Sequence, residues 1–440
     1  MVEVLVALAA GPFVLAYLVA SCKEPLRIAL PVYAFLLPFG SSLSVGSSSF
    51  GSLSSAAGLV LTAGLLAQLM TSRSRPSRLP AAVPVWLMFF GVAAASTLWS
   101  IAPRVTIESV AVLGSLVALY ALLAVSGIDR RALVRTENAI ILGSLVTVGY
   151  AMLQLTVLGG LPSSSEGAPR FGNSLLGPNN QAAALLLPLA ITTSRTVTRR
   201  GVPDRLLHGL AAGLLLVGIL ATGSRGGLLA AVVTMGLVVL LAPRGRRMLL
   251  ITCAVGTVLV AALLLLNPAG IGARQVNQAE SSSGRTEIWR VGMHACETIC
   301  LTGSGWGTFA EVYAQERASV PDVRVLRRGT AFEPHNLWLL AAVEGGFVGL
   351  LLMTAGLALP VVDGMRLPKA LRGPPVAALV GTIVAGVFLS NLEFKFFWMV
   401  LAYVALTANS TALLRGVPGA GGPARLPAAS PGGRGSGAGG

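Results

Sequence analysis

Four polar residues stand at the borders of long apolar runs, and their types could do chemistry. Arg225 lies in ATGSRGGLLA, Arg285 in SSGRTEIW, His335 in FEPHNLWLLAAVEGG and Asn180 in GPNNQAAALLLP. A guanidinium group carries a planar fork of donors that can bind an anion at two points. An imidazole with the unperturbed pKa of about 6.5 can accept a proton near neutral pH. The two arginines are therefore candidates for anion binding, and His335 for base catalysis.

Each candidate also has an ordinary structural explanation. Arg225 has glycines on both sides, which predict room for a bulky ligand near the backbone, but its side chain could equally reach lipid headgroups. Arg285 could pair with Glu287 in a solvated loop. His335 could cap the helix that follows it.

Several other kinds of site are absent from the sequence. The three Lys residues do not stand in GxxxxGK[ST], and HExxH does not occur, so neither an ATP-phosphate loop nor that zinc motif is present. No Asp stands within two residues of another Asp, as the positions of all four show: Asp129, Asp204, Asp322 and Asp363. We therefore expect no metal and no cofactor.

Composition determines the elements that must position these residues. Of 440 residues, 54% are hydrophobic and 11% are charged, against about 25% charged in a soluble domain. The apolar runs, each long enough or nearly long enough to cross a bilayer, predict an all-α polytopic transmembrane helical bundle of 12–13 spans. The predicted spans are 2–20, 27–39, 54–70, 82–99, 106–126, 138–158, 179–194, 206–221, 226–242, 248–266, 336–360, 375–391 and 396–413. The run 27–39 is doubtful because it is short and contains Pro31 and Pro38.

Basic residues indicate the orientation. Seven alternate connections hold 21 of the 32 Lys and Arg residues, and basic connections stay in the cytoplasm. The loop 267–335 balances seven Arg against seven acidic residues and is expected outside. We expect the first run to be retained as a helix, the transmembrane domain to cover 1–415, and 416–440 to be a disordered cytoplasmic tail. The net charge of +15 is explained by these connections, so we expect no nucleic-acid partner.

Two further features concern the outer loop and the helix after it. Apolar residues recur with helical spacing in 286–300, at Ile288, Trp289, Val291, Met293 and Ile299, which predicts an amphipathic helix on the membrane surface. Glu344 should face the bundle interior, protonated or hydrogen-bonded, about 13 Å into its helix. Cys296 and Cys300 are four residues apart in the predicted helix, a poor geometry for a disulfide, so we expect two thiols.

Five motifs in this order resemble the O-antigen ligase and Wzy-type polymerase superfamily. They are GPNNQAA, GSRGG, GRTEIW, LTGSGWGTF and PHNLWLLAAVEGGFVGLLL. The resemblance covers roughly residues 170–360. It implies a GT-C-type glycosyltransferase in the inner (cytoplasmic) membrane, with its active site on the extracytoplasmic face.

The resemblance also implies roles for single residues. Arg225 and Arg285 would hold the pyrophosphate of an undecaprenyl-pyrophosphate-linked glycan donor, and His335 would act at the acceptor as a catalytic residue. The substrate-binding residues would be Arg170, Asn180, Asn336 and Glu344. The reaction would need no metal, and the acceptor would be a glycan, a lipid or a protein. Membrane lipids and other polysaccharide-assembly proteins are the remaining expected partners.

The sequence leaves the function class open in two respects. It does not separate a polymerase that joins repeat units from a ligase that attaches a finished glycan. The alternative class is a transporter or flippase for a small anion or a lipid-linked glycan, although few ionisable groups lie deep in the predicted spans, where such sites need them. A structural scaffold for envelope assembly is a third reading, but it gives no reason for the arginines and His335 to converge.

Single cysteines in two regions test the orientation. In a background without the four native cysteines, Ser282→Cys in the outer loop should react with a membrane-impermeant maleimide added to intact cells. Ser430→Cys in the tail should react only after the cells are opened, because the basic connections hold the tail inside. Labelling at position 430 in intact cells would contradict the orientation.

Overall fold

The computed structural model of the chain describes residues 15–40, 52–71, 79–156, 171, 177–242, 285–321, 323 and 332–415. The predicted span 248–266, most of 2–20, the tail 416–440 and Arg170 lie outside these ranges. Within them the regular elements are α-helices and short 3-10 turns. The predicted all-α helical bundle is therefore confirmed.

Residues 15–23 are helical and precede the first labelled helix. In chain order the helices are α1 (Ala29–Leu36), α2 (Leu53–Thr71), α3 (Ala82–Ala95), α4 (Pro103–Val125), α5 (Arg130–Thr156), α6 (Gly177–Ala184), α7 (Leu186–Thr198), α8 (Val202–Ala221), α9 (Arg225–Leu241), α10 (Arg285–Ile299), α11 (Phe309–Glu316), α12 (Leu337–Met365), α13 (Gly373–Gly386) and α14 (Lys395–Arg415).

Five described helices are long and apolar enough to cross a membrane, namely α2, α4, α5, α8 and α12. The doubtful run 27–39 folds as α1 followed by the 3-10 turn Leu37–Phe39. Together these reach less than about 20 Å, whereas the hydrocarbon core is about 30 Å thick. This run does not cross a bilayer by itself. The total number of crossings stays a prediction, because two of the predicted spans lie largely outside the described residues.

The predicted span 179–194 is two helices, α6 and α7, interrupted at Leu185. Pro188 explains the interruption, because it has no N–H to donate to the carbonyl of Ala184 and its ring crowds that carbonyl. The sequence reading of one continuous span is wrong at this point.

The two ends of the bundle differ in character. At one end Arg27 pairs with Asp129 at 2.8 Å. At the other end neutral contacts join distant loops, as where Gln181 Nε2 donates to the carbonyl oxygen of Pro38 (3.2 Å). We call this second end the site end. It is formed by residues 38–40, 96–102, 222–225, 300–308, 332–336 and 387–395.

Helix α12 is broken at Gly346, which has φ 67° and ψ −172°. The part before the break is a half-helix that begins at Leu337 at the site end. The part from Phe347 to Met365 reaches about 28 Å by itself, enough to cross a bilayer. The break comes after Glu344, so the estimate that Glu344 lies about 13 Å into the helix stays a prediction.

The segment Cys300–Gly307 fills the break. The N–H groups of Ser304 and Gly305 donate to the carbonyl oxygens of Val343 (2.9 Å) and Glu344 (3.2 Å). The N–H of Phe347, just beyond the break, donates to the carbonyl oxygen of Cys300 (2.8 Å). Backbone groups freed in an apolar environment are costly unless protein neighbours bond them, and this segment supplies the partners.

Three glycines give the inserted segment its shape. Gly303, Gly305 and Gly307 have φ of 81°, 108° and 86°, in the left-handed region that disfavours side chains. A Cβ at Gly303 would collide with the carbonyl of Glu344, and one at Gly305 with Ser100. The LTGSGWG motif therefore has glycine where the segment turns and where it touches its neighbours.

The predicted amphipathic helix exists as α10. Its buried residues include Ile288, Val291 and Ala295, but Met293 is 57% exposed, so the predicted apolar face is wrong there. Gly292 lies against Leu339 of α12, since an added Cβ would be 3.0 Å from its Cδ2. The buried face of α10 thus packs on the protein.

Cys296 and Cys300 form a disulfide, so the expectation of two thiols is wrong. The helix ends at Ile299, and Cys300 already belongs to the turn that enters the break of α12. Its Cα lies 4.5 Å from that of Cys296, within the range that a disulfide needs. The sequence reading assumed that the helix continued through Cys300.

The neighbours Gly345 and Gly346 provide a matched test of the break. Gly346→Ala should lower the free energy of unfolding by about 1–3 kcal/mol, because the residue needs positive φ and an added Cβ would lie 2.8 Å from the carbonyl carbon of Thr302. Gly345→Ala has open space around its Cβ and should leave stability nearly unchanged. Thermal unfolding of the purified full chain in detergent measures both, and equal melting temperatures would contradict the interlock.

Candidate active site

Arg225 is the first residue of α9, as the sequence predicts. Ser224 caps the helix, its Oγ accepting from the N–H of Gly227 (3.1 Å). Gly223 before it has φ 62°, which makes the turn from α8. The Arg225 side chain is exposed, so its guanidinium can meet a ligand at the site end.

The glycines after Arg225 serve the fold rather than a ligand. A Cβ at Gly226 would lie 2.8 Å from Phe388, and one at Gly227 would lie 2.5 Å from the Cβ of Ala182. The prediction that these glycines make room for a ligand is wrong, because protein side chains already occupy the space. Ala182 belongs to GPNNQAA, so this contact joins two of the motifs and fixes the start of α9.

Two residues of the neighbouring helix bear on the site. Asn180 is half-buried in α6, and its Oδ1 has no hydrogen-bond partner among the described residues. The N–H of Phe171 donates to the carbonyl oxygen of Ala221 (3.0 Å), which brings the chain next to Arg170 close to the turn before Arg225. Arg170 itself lies outside the described residues, and both substrate-binding roles stay predictions.

Asn336, not His335, caps α12. The Asn336 Oδ1 accepts from the N–H groups of Trp338 and Leu339, both at 3.0 Å. The alternative that His335 serves as the cap is therefore wrong. His335 has φ 46°, an unusual conformation for a residue with a side chain, and such conformations concentrate at functional sites.

Arg285 and His335 are close enough to interact. Burial, and to a smaller extent the positive charge of Arg285, lower the pKa of His335 to about 4. Trp289 Nε1, one turn after Arg285, donates to the carbonyl oxygen of Pro334 (2.7 Å) and ties α10 to the residue before His335. The imidazole is therefore neutral at pH 7 and able to accept a proton, although its pKa is well below the ordinary value that the sequence reading used.

Two carboxylates that sequence reasoning missed lie near this pair. Burial raises the pKa of Glu333, and burial together with the charge of Glu333 raises the pKa of Glu393 to about 6. Both side chains are nevertheless exposed to solvent. Water therefore reaches both carboxylates, although burial of part of each one disfavours its charged form. No spacing signal in SNLEFKFF could have found Glu393, which approaches Glu333 only through the fold.

Glu344 is buried, 2% exposed, and hydrogen-bonded as predicted. Its Oε2 accepts from the N–H of Gly307 (2.9 Å) and its Oε1 from the N–H of Phe309 at the start of α11 (3.0 Å). This carboxylate holds the segment inserted at the break. Its predicted contact with substrate, like that of Asn336, stays a prediction.

The end of α13 connects the Arg225 and His335 parts of the site. Gly386 faces Leu337, whose Cδ2 would lie 3.2 Å from an added Cβ, and Phe388 packs on Gly226. The structure thus brings together Arg285 and His335, and places the start of α9 with Arg225 beside the same short connection.

Comparisons with known proteins agree with these motifs. Residues 210–354 match the O-antigen ligase family (Wzy_C), a stretch that contains Arg225, Arg285 and His335. The chain is also 25% identical over 282 residues, 61% of its length, to the exopolysaccharide production protein ExoQ of Rhizobium meliloti (strain 1021). The match spans 62% of that relative. These two findings support membership of the O-antigen ligase-like family of membrane proteins.

Proposed function

We propose that the chain is a glycosyltransferase of the inner membrane that acts in cell-surface polysaccharide assembly. It takes glycan units from an undecaprenyl-pyrophosphate-linked donor on the extracytoplasmic face and passes them to an acceptor hydroxyl. The observation that supports this most is the pairing of Arg285 with a neutral His335 that is free of any capping duty. The printed description of the relative, exopolysaccharide production, supports the same substrate class.

The arginines would act on the donor. Arg225 and Arg285 would hold the pyrophosphate through charge-assisted hydrogen bonds, which strengthen as the bond to the sugar breaks and negative charge develops on the leaving group. Among the described residues, no group of three His, Cys, Asp or Glu is placed to hold a metal ion. In the proposed step, guanidinium groups would balance the charge of the leaving pyrophosphate.

His335 would act on the acceptor. The acceptor oxygen forms a bond to the anomeric carbon, the bond from that carbon to the pyrophosphate oxygen breaks, and the electron pair leaves with the pyrophosphate. The hydroxyl proton passes to the unprotonated nitrogen of His335. Because burial and a positive neighbour keep the imidazole neutral, the base is ready at every pH well above about 4.

Two Arg→Lys substitutions test donor binding, with a third on the same helix as control. Arg225→Lys and Arg285→Lys should each lower the rate by about 10²-fold or more, because Lys keeps the charge but loses the two-point fork. Arg290→Lys should have little effect, since Arg290 is exposed on α10 and donates to the carbonyl oxygen of Pro321. Transfer from a polyprenyl-pyrophosphate glycan by purified protein in EDTA is the measurement. Near-normal rates in both site variants would refute the donor role, and a need for added Mg²⁺ or Mn²⁺ would refute the metal-free step.

The pH profile tests the base. The rate should stay level as the pH falls below 6 and decline only near the pKa of His335, about 4, because a protonated imidazole cannot accept a proton. Removal of the neighbouring charge in Arg285→Gln should raise this pKa and move the decline to higher pH, whatever the remaining rate. His335→Ala should lower turnover by roughly 10²- to 10⁴-fold. An active His335→Asn variant with the wild-type profile would exclude base catalysis, since Asn tolerates positive φ.

A further inference from the structure

Residues 387–394, between α13 and α14, form a third wall of the site. Just before this segment, Gly386 packs on Leu337, two residues after His335, and Phe388 packs on Gly226, next to Arg225. The segment therefore lies between the two parts of the site. It is outside the matched family region 210–354 and outside every motif of the sequence analysis.

The far end of the segment is held firmly. Lys395 Nζ donates to the hydroxyls of Ser52, Ser54 and Ser55, at 3.0, 2.9 and 2.6 Å, at the start of α2. Trp398 Nε1 donates to the carbonyl oxygen of Leu392 (2.7 Å). The two ends of the segment are therefore held by packing or hydrogen bonds, and its polar side chains lie between them.

Two of those polar side chains lack hydrogen-bond partners among the described residues. Asn391 is fully buried (0% exposed), yet neither Oδ1 nor Nδ2 meets a hydrogen-bond partner within the described residues. Ser390 is 8% exposed, and its hydroxyl also has no hydrogen-bond partner within the described residues. Native proteins rarely leave buried polar groups unpaired, and such groups call for an explanation in function or in a missing partner.

Another buried asparagine shows what the fold does when the role is structural. Asn409 of α14 is 8% exposed, and its Nδ2 donates to the carbonyl oxygens of Ala124 (2.9 Å) and Ser126 (3.0 Å) at the opposite end of the bundle. The side-chain amide of Asn391 makes no such hydrogen bond within the described residues. Stability alone would favour an apolar residue at position 391.

The charge of this wall points to the ligand. Glu393 is exposed on the same segment and lies near enough to Glu333 for their charges to interact. Two carboxylates repel a pyrophosphate, whereas the arginines can bind it. Carboxylates and amides together match the hydroxyls of a sugar, each of which can both donate and accept.

We propose that residues 387–394 bind the glycan, with Glu393 accepting hydrogen bonds from sugar hydroxyls and Asn391 completing its own hydrogen bonds to the sugar when the segment shifts to admit it. This inference rests on the proposed glycosyltransferase function. It divides the site into two parts of opposite charge. The arginines bind the pyrophosphate, and the carboxylate and amide groups bind the sugar.

Two asparagine variants of the full chain separate a binding role from a structural one. Asn391→Leu should keep or raise the melting temperature, because it removes unpaired polar groups, and should lower surface polysaccharide at least about tenfold in a deletion strain complemented at equal membrane level. Asn409→Leu should lower the melting temperature and leave polysaccharide per folded protein unchanged. A melting temperature that falls in Asn391→Leu as far as in Asn409→Leu, or wild-type polysaccharide from Asn391→Leu, would overturn the proposal.

A second pair keeps the proposal testable if Asn391→Leu does not fold. Glu393→Ala, at an exposed position, should lower polysaccharide as strongly, while Glu24→Ala, an exposed acid paired with Arg27 at the opposite end, should not. Undecaprenyl pyrophosphate without sugar serves as the binding probe: its affinity should be unchanged in Glu393→Ala and reduced in Arg225→Lys. Full activity of Glu393→Ala together with loss of activity in Arg225→Lys would overturn only the proposal that residues 387–394 bind the glycan. Full activity of Arg225→Lys would overturn the proposed function.

Discussion

The break in α12 at Gly346 frees backbone groups in an apolar interior, and the site end is arranged to hydrogen-bond them. Residues 300–307 enter the break and bond its backbone on both sides. Glu344 holds the same segment through two N–H groups. Because this segment also connects α10 to α11, the interlock fixes α10, and with it Arg285, relative to the half-helix that follows His335. Two motifs far apart in sequence, LTGSGWG and VEGG, are thus two halves of one contact.

A second contact of the same kind fixes the other arginine. Gly227 meets Ala182, and Gly226 meets Phe388, so the start of α9 lies against α6 on one side and the α13–α14 connection on the other. Small residues at both places let backbones approach closely, which is how helices associate where no hydrophobic driving force separates protein from lipid. A guanidinium fork that binds an anion at two points needs a fixed helix start, and the glycines provide it.

The sequence predicted those parts of the fold that depend on local pattern. Apolar runs gave most helices, helical spacing gave α10, and the cost of a buried charge gave the hydrogen-bonded Glu344. Long-range contacts were beyond its reach: the break at Gly346, the filling of the space beside Gly226, and the approach of Glu393 to Glu333. The disulfide was missed because the end of α10 was placed one residue too late. Asn336 was predicted to bind substrate, which stays a prediction, and its capping of α12 is visible only in the structure.

The electrostatics of the site follow from the element that carries each charged residue. Arg285 stands on a helix that packs against the half-helix after His335, so its charge acts on an imidazole that burial has already made harder to protonate. The charge of Glu333 acts on Glu393 and makes its ionisation less favourable. A site built this way has a neutral base beside a cationic group, with Glu333 two residues before that base in the chain. Such an arrangement suits a reaction in which an anion departs on one side while an uncharged hydroxyl arrives on the other, and the acceptor proton then has a receiver that carries no charge of its own.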